Sequence, residues 1–162
     1  MVGPGLLKTL ESQLSAAGLS GPYLVVSQPR IFEYVGGTLR KRFPVALIPD
    51  GERAKTLRTV GRLLDEMARL NMARQSTIIA VGGGVVGDVS GFAASIYMRG
   101  IRVVQAPTTL LAQVDSSIGG KTGVNHRLAK NMIGTFHQPS LVLSDPLALK
   151  SLSEREFASG LY

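Results

Sequence analysis

Ser76 to Asp88 reads STIIAVGGGVVGD, and the character of the whole chain turns on that stretch. An apolar run rich in β-branched residues ends abruptly in three glycines, and a mainly apolar segment with further glycines follows. This predicts a strand over 76–84 and a glycine-bearing helix over 85–98. Gly82, Gly84 and Gly87 satisfy G-x-G-x-x-G at the junction between them. Glycine lets a backbone approach a pyrophosphate closely, and a helix N-terminus offers free N–H groups and partial positive charge. A second reading stays open, in which the glycines only allow close strand–helix packing. An ordinary dinucleotide-binding unit also places an acid at the end of the next strand, about twenty residues on. That strand, RVVQAPTT, carries none.

Outward from this junction the chain alternates. Leu6, Leu7, Leu10, Leu14 and Ala17 form a helical stripe closed by Gly18, and PYLVVS (22–27) reads as a buried strand. Residues 30–43 read as a helix interrupted by Gly36 and Gly37, and PVALIPD (44–50) as a second strand. Leu57, Val60, Leu63, Leu64 and Met67 share one face of a helix over 57–70. RVVQAP (102–107) is a strand stopped by Pro107. A helix over 108–117 follows, with Thr108 as an N-cap, and then a GGKTGVN loop. SLVLSD (140–145) is a fifth strand, and Ser153 with Glu156 forms a capping box for a last helix. Strands that are apolar throughout, each followed by a helix, predict an α/β, Rossmann-like fold. Its sheet is mainly parallel, with helices on both faces. Ligands of such sheets lie beyond the carboxyl ends of the strands, where DGERAK, GGGVVGD, APTTLL and SDPLALK converge.

Composition narrows the function classes. The 162 residues are 44% hydrophobic, enough for one real core, and the chain has no cysteine, which excludes disulfides and thiolate metal sites. No apolar run approaches the roughly 18 residues of a membrane span, and no secretory signal is visible, so a soluble, cytoplasmic protein is expected. Net charge is +7, but only Arg40–Arg42 form a compact basic run and aromatics make up 6% of the chain, so nucleic acid is not an expected partner. An anionic small molecule suits the balance better.

Several polar residues stand where ligands would bind. Asp88 reads either as a first-turn acid that favours the helix dipole or as an acceptor for ribose or nicotinamide groups. Glu52 and Lys55 in DGERAK are either a solvated turn or ligand contacts, and one of Thr108 and Thr109 is surplus to capping. The segment 115–131, DSSIGGKTGVNHRLAKN, is harder to explain as structure. Two lysines, Lys121 and Lys130, and two asparagines, Asn125 and Asn131, in a glycine-shaped loop can grip a phosphate or carboxylate. His126 and His137 lack the spacing and the acidic third ligand of a zinc site. Arg99 is either a cation at a helix C-terminus or a ligand contact.

Together GGGVVGDVSGFAASIYMRGI, QAPTTLLAQVDSSIGGKTGVNH, KNMIGTFHQP and LKSLSERE resemble the N-terminal half of the 3-dehydroquinate synthase family, from about Asp50 onward. Before Asp50 the match is one of outline: MVGPG stands in place of the family's first strand pair, and SQPR (27–30) in place of a turn that often contacts adenosine. The resemblance implies an NAD- and metal-dependent lyase of the shikimate pathway, leading to chorismate and the aromatic amino acids. That enzyme converts 3-deoxy-D-arabino-heptulosonate 7-phosphate to 3-dehydroquinate and phosphate, using and regenerating NAD in each turnover.

Position by position, the resemblance implies NAD contacts at Asp50, Glu52, Lys55, Gly83, Gly84, Val85, Asp88, Thr108 and Thr109. Further cofactor-side positions are Leu111, Ser116, Lys121, Lys130, Ser151, Leu152 and Glu156. Asp115 falls near both nicotinamide and substrate hydroxyls, Lys121 and Asn131 at phosphate, and Arg99 at a phosphate across a homodimer interface. The family's zinc or other divalent metal is held by a glutamate and two histidines that His126 and His137 do not match, so the metal ligands are expected outside this chain. FASGLY breaks off in mid-helix. The expectation is therefore a fragment, with an NAD-binding domain over 1–152, the start of a helical metal and substrate domain over 153–162, and no activity by itself. Competing readings are another sugar-phosphate cyclase, a metal-dependent alcohol dehydrogenase-like enzyme, and a free-standing NAD-binding module.

Overall fold

A computed structural model describes residues 1–161, and the side chains of all of these except Ser151, Arg155, Glu156 and Ser159. In chain order the elements are α1 (Leu10–Ala16), β1 (Tyr23–Ser27), α2 (Pro29–Leu39), β2 (Val45–Leu47), α3 (Leu57–Arg69), β3 (Thr77–Gly82) and α4 (Gly84–Ile96). They continue with β4 (Arg102–Pro107), β5 (Lys121–Val124), β6 (Ile133–Phe136), β7 (Leu141–Val142) and α5 (Glu154–Ser159). Five strands form one sheet in the order β2-β1-β3-β4-β7, and every pairing in it is parallel.

The strands are apolar throughout because both faces are covered. Leu24, Val26, Ile78, Ala80 and Val103 point to one side, where they pack with Val60, Leu63 and Met67 of α3 and Val86, Val89 and Phe92 of α4. Val25, Ile79, Val81, Val104 and Ala106 point to the other, against Leu10 and Leu14 of α1 and Phe32 and Leu39 of α2. Each of these side chains larger than alanine contributes roughly 1.5–3 kcal/mol by leaving water. The N-terminal residues extend the sheet past β7, with Val2 bridging Ser144 in parallel. The Asp145 carboxylate ties that end down by accepting from the N–H groups of Gly5, Leu7 and Leu147.

Strand order places the ligand crevice. The chain runs from β1 outward to the edge strand β2, then returns to add β3 on the opposite side of β1. Connections therefore reverse between β1 and β3, and the carboxyl ends of those two strands flank the crevice that parallel sheets use for ligands.

Four expectations are corrected here. The α2 helix is not interrupted at Gly36 and Gly37 but runs through both. A Cβ at Gly36 would stand 2.5 Å from the Phe32 ring, so this glycine makes room for an aromatic one turn earlier. The segment 108–117 is not a regular α-helix: it widens into a single π-helical turn over Ala112–Ser116, and Thr109 rather than Thr108 accepts from the N–H of Ala112. The segment after Gly119 is not an open loop, because β5 and β6 pair antiparallel from Lys121 opposite Phe136 to Val124 opposite Ile133. Asp88 lies beyond the first turn of α4, whose first residues are Gly84 to Gly87. The expected capping box of Ser153 with Glu156 involves a side chain outside those described.

Candidate functional site

Two cavities lie along the carboxyl edge of the sheet, and most of the residues singled out from sequence line one or the other. The first, about 280 Å³, sits over the reversal point between β1 and β3. Gly83, Gly84 and Val85 form its floor at the start of α4, Thr108 and Thr109 flank it beyond β4, and Asp50 with Gly51 closes the β2 side. Gln28, Arg30, Ile31 and Tyr34, at the start of α2, complete the wall with Leu152. No side chain caps the N-terminus of α4, so its first N–H groups are free to face an anion. This arrangement fits a pyrophosphate. The Gln28 side chain donates from Nε2 to the carbonyl of Pro49 at 2.8 Å.

The glycines of the cluster divide between a cavity-lining role and a packing role, on different faces of one helix. Gly83 and Gly84 line the cavity. Gly87 and Gly91 serve packing: an added Cβ would come to 2.8 Å from the Gln105 side chain at the former and 2.5 Å from Thr122 at the latter. That close contact lets the β5–β6 pair lie directly on α4. A chain of hydroxyls fastens it there, with Thr122 donating to the Thr135 carbonyl, Thr135 to Ser95, and Ser95 to the Phe92 carbonyl.

The second cavity, about 450 Å³, opens between α4, the π-helical turn and the β5–β6 pair. Asp88, Asp115, Ser116, Lys121 and Asn131 supply its charge and hydrogen-bonding groups, with Met132 and Phe136 as an apolar wall. Beneath it lies Lys55, buried, whose Nζ donates to Asp88 Oδ2 at 2.6 Å and to Asn131 Oδ1. Burial pushes the Asp88 carboxyl above the ordinary aspartate value, and the neighbouring Lys55 ammonium offsets part of that. DGERAK, read either as a solvated turn or as ligand contacts, is a short 3₁₀ turn whose Glu52 accepts from Asn125 Nδ2 at 2.8 Å, followed by a buried Lys55. Asn125 does not face the cavity. Its other end accepts from the Asn131 backbone N–H at 2.9 Å.

Five of the expected positions with described side chains, Glu52 among them, lie outside both cavities. Leu111 and Lys130 are exposed, and Lys130 projects from neither wall. Arg99 is exposed in a 3₁₀ turn after α4, where Met98 and Arg99 both have positive φ, 49° and 65°. Lys55 lies below the second cavity rather than on its surface. Ser151 and Glu156 fall among the side chains not described. Of the histidines, His137 donates from Nε2 to the Ile101 carbonyl at 2.8 Å, and His126 Nδ1 accepts from the Leu128 N–H. Among the described residues no group of three or more His, Cys, Asp or Glu is placed to hold a metal ion. No helix among them is long and apolar enough to cross a membrane.

Sequence reasoning missed Arg30 and Tyr34 on the first cavity, and Thr135 and Phe136 on the second. The first pair carried a signal, since both follow a strand's carboxyl end. The second pair depends on the β5–β6 pairing, which no local pattern announced.

Comparison with known proteins agrees with this geometry. The profile of the 3-dehydroquinate synthase N-terminal domain matches residues 45–159. The 3-dehydroquinate synthase of Synechocystis sp. is 47% identical over 165 residues, covering 98% of this chain and 46% of that protein. Among solved structures, 2-epi-5-epi-valiolone synthase from Streptomyces hygroscopicus, with NAD+ and Zn2+ bound, superposes with a TM-score of 0.86 at 36% identity, over 99% of this chain and 46% of its own. A 2-deoxy-scyllo-inosose synthase complexed with carbaglucose-6-phosphate, NAD+ and Co2+ gives 0.85 at 32%, over 99% of this chain and 45% of its own. The chain spans just under half the length of each of these proteins. It belongs to the 3-dehydroquinate synthase family and corresponds to that family's N-terminal α/β domain.

Proposed function

We propose that this chain is the NAD-binding half of a 3-dehydroquinate synthase, which converts 3-deoxy-D-arabino-heptulosonate 7-phosphate to 3-dehydroquinate and phosphate. The observation that carries this reading is the first cavity: a glycine turn and an uncapped helix N-terminus at the reversal point of a parallel sheet. Gly83, Gly84 and Val85 hold the cofactor pyrophosphate, Thr108 and Thr109 hydrogen-bond beside it, and Asp50 takes ribose hydroxyls. Leu152 and the neighbouring Ser151 and Glu156, with Leu111, Lys130 and Glu52, belong to the cofactor side.

The second cavity takes the sugar phosphate. Lys121 and Asn131 bind its phosphate, Asp115 orients the substrate hydroxyls beside the nicotinamide, and Ser116 and Asp88 lie where the two cavities approach each other. NAD, when bound, supplies reversible oxidation of a substrate hydroxyl. The chain's own residues position the substrate, and Lys121 balances the charge of the departing phosphate. Arg99, outside both cavities, is assigned to a phosphate across a homodimer interface. The divalent metal named with two of the structural relatives finds no ligand set among the described residues, and we assign its ligands to the remaining half of the family's length. The proposed domain division puts residues 1–152 in the cofactor domain and 153–162 at the start of the helical one, in a cytoplasmic enzyme.

Calorimetric titration of the purified chain with NAD+ should give weak, saturable, one-to-one binding. The same chain, with NAD+, zinc and the heptulosonate phosphate, should release no phosphate. Absence of NAD+ binding refutes the cofactor assignment, and phosphate release refutes the dependence on a second half.

A further inference from the structure

Five polar residues from four segments form one continuous hydrogen-bonded chain beside the second cavity. Glu52 accepts from Asn125, Asn125 accepts from the Asn131 backbone N–H, the Asn131 side chain accepts from Lys55, and Lys55 pairs with Asp88. Asn131 and Asp88 line the cavity, whereas Glu52, Asn125 and Lys55 do not. Asn131 also holds φ at 53°, in the left-handed region that asparagine tolerates better than most non-glycine residues.

We propose that Asn125 is a positioning residue that fixes the anion-binding wall of the second cavity through Asn131, a role that rests on the phosphate reading given above. Three bonds immobilise Asn125. Its own N–H donates to the Lys55 carbonyl at 2.9 Å, its Nδ2 donates to Glu52, and its Oδ1 receives the Asn131 N–H. With the amide locked at both ends, the Asn131 backbone is drawn into its left-handed turn. The Asn131 side-chain oxygen is thereby brought onto Lys55. Lys55 in turn is held between two acceptors, which fixes the Asp88 carboxylate in the cavity wall. Asn125 thus acts on the anion site without touching the anion. Its amide is needed because one end must donate to a carboxylate while the other accepts from a backbone N–H, and no other side chain of this length except an amide does both.

That donor–acceptor order gives a test by reversal. Asn125→Asp sets two carboxylates against each other, and Asn125→Ala removes both bonds. Asn125→Asp combined with Glu52→Gln reverses the donor and acceptor of the outer bond and preserves the acceptor for Asn131. Amide hydrogen exchange and inorganic phosphate titration would be followed by 15N NMR on the folded chain and its three variants. The expected result is that protection of the Asn131 amide falls about tenfold in each single variant. The phosphate-induced shifts of Asn131 and Lys121 should weaken with it, and both should return in the double variant. Unchanged Asn131 protection in Asn125→Ala, or a double variant as damaged as Asn125→Asp, overturns the proposal. Protection that follows the proposal in a chain whose amides never respond to phosphate supports the positioning role and removes the anion reading instead.

Discussion

The two cavities meet at α4 but are built on different principles. The first is backbone and shape: a glycine turn, a helix N-terminus and strand ends brought together by sheet topology. The second is side chains and charge: a buried lysine, two aspartates, an exposed lysine and an asparagine locked by its neighbours. A site made of backbone tolerates substitution until something fills it. A site made of an interlocked polar network fails when one member goes, because each buried partner is then left unpaired.

The contrast is broken most forcefully at Lys55. Lys55→Met leaves the Asp88 carboxylate without its cation, and removing one partner of a buried pair costs about 3–5 kcal/mol. The Asp88 side chain is 22% exposed, which places the loss near the lower end, about 3 kcal/mol by urea denaturation. Lys55→Met with Asp88→Leu should recover most of it, since no orphaned charge remains. Gly134→Ala comes next: its Cβ would stand 2.0 Å from the Thr122 carbonyl oxygen across the β5–β6 pair, and overpacking of this kind costs about 1–3 kcal/mol. Loss of amide protection should be confined to β5 and β6 while β1 and β3 keep theirs, as hydrogen exchange would show.

How much of this was legible in the sequence follows the same divide. The parallel sheet could be read because each strand is a short apolar run and each helix carries its own stripe, so local pattern and global fold agree. The glycine turn could be read as far as its position at the junction of β3 and α4. Lys55, Asn125 and Asp88 were all noticed, yet which residues they pair with was not. Asn125 lies 73 residues from Glu52, and Lys55 lies 33 from Asp88, separations at which no sequence period operates. The β5–β6 pair escaped for a related reason: IGTF and KTGV each carry a glycine that weakens a strand in isolation, and only their mutual pairing on α4 makes them strands.

Smaller effects sharpen the comparison. Gly84→Val places a branched side chain where backbone meets the first cavity and should weaken NAD+ binding about tenfold by titration, with the melting temperature little changed. Inorganic phosphate shifts at Lys121 should persist in this variant, because Lys121 stands on β5 rather than on the glycine turn. The smallest effect is a pH slope. The Asp88 carboxyl binds its proton more tightly folded than unfolded, so stability should fall as pH rises from the ordinary aspartate value of 3.8 through the raised one, then level off. Asp88→Asn should flatten that segment of a stability–pH profile; an unchanged slope would place its origin elsewhere.

The central claim is that the glycine turn at the start of α4 is a dinucleotide cradle and more than a packing device. A 15N NMR titration of the chain with NAD+ tests it directly. The account predicts saturable shifts at Gly83, Gly84, Val85 and Thr109, with the β5–β6 amides of Thr122 and Thr135 moving least. Saturating NAD+ that leaves the amides of residues 83–85 in place, or that shifts only residues distant from the first cavity, would contradict it.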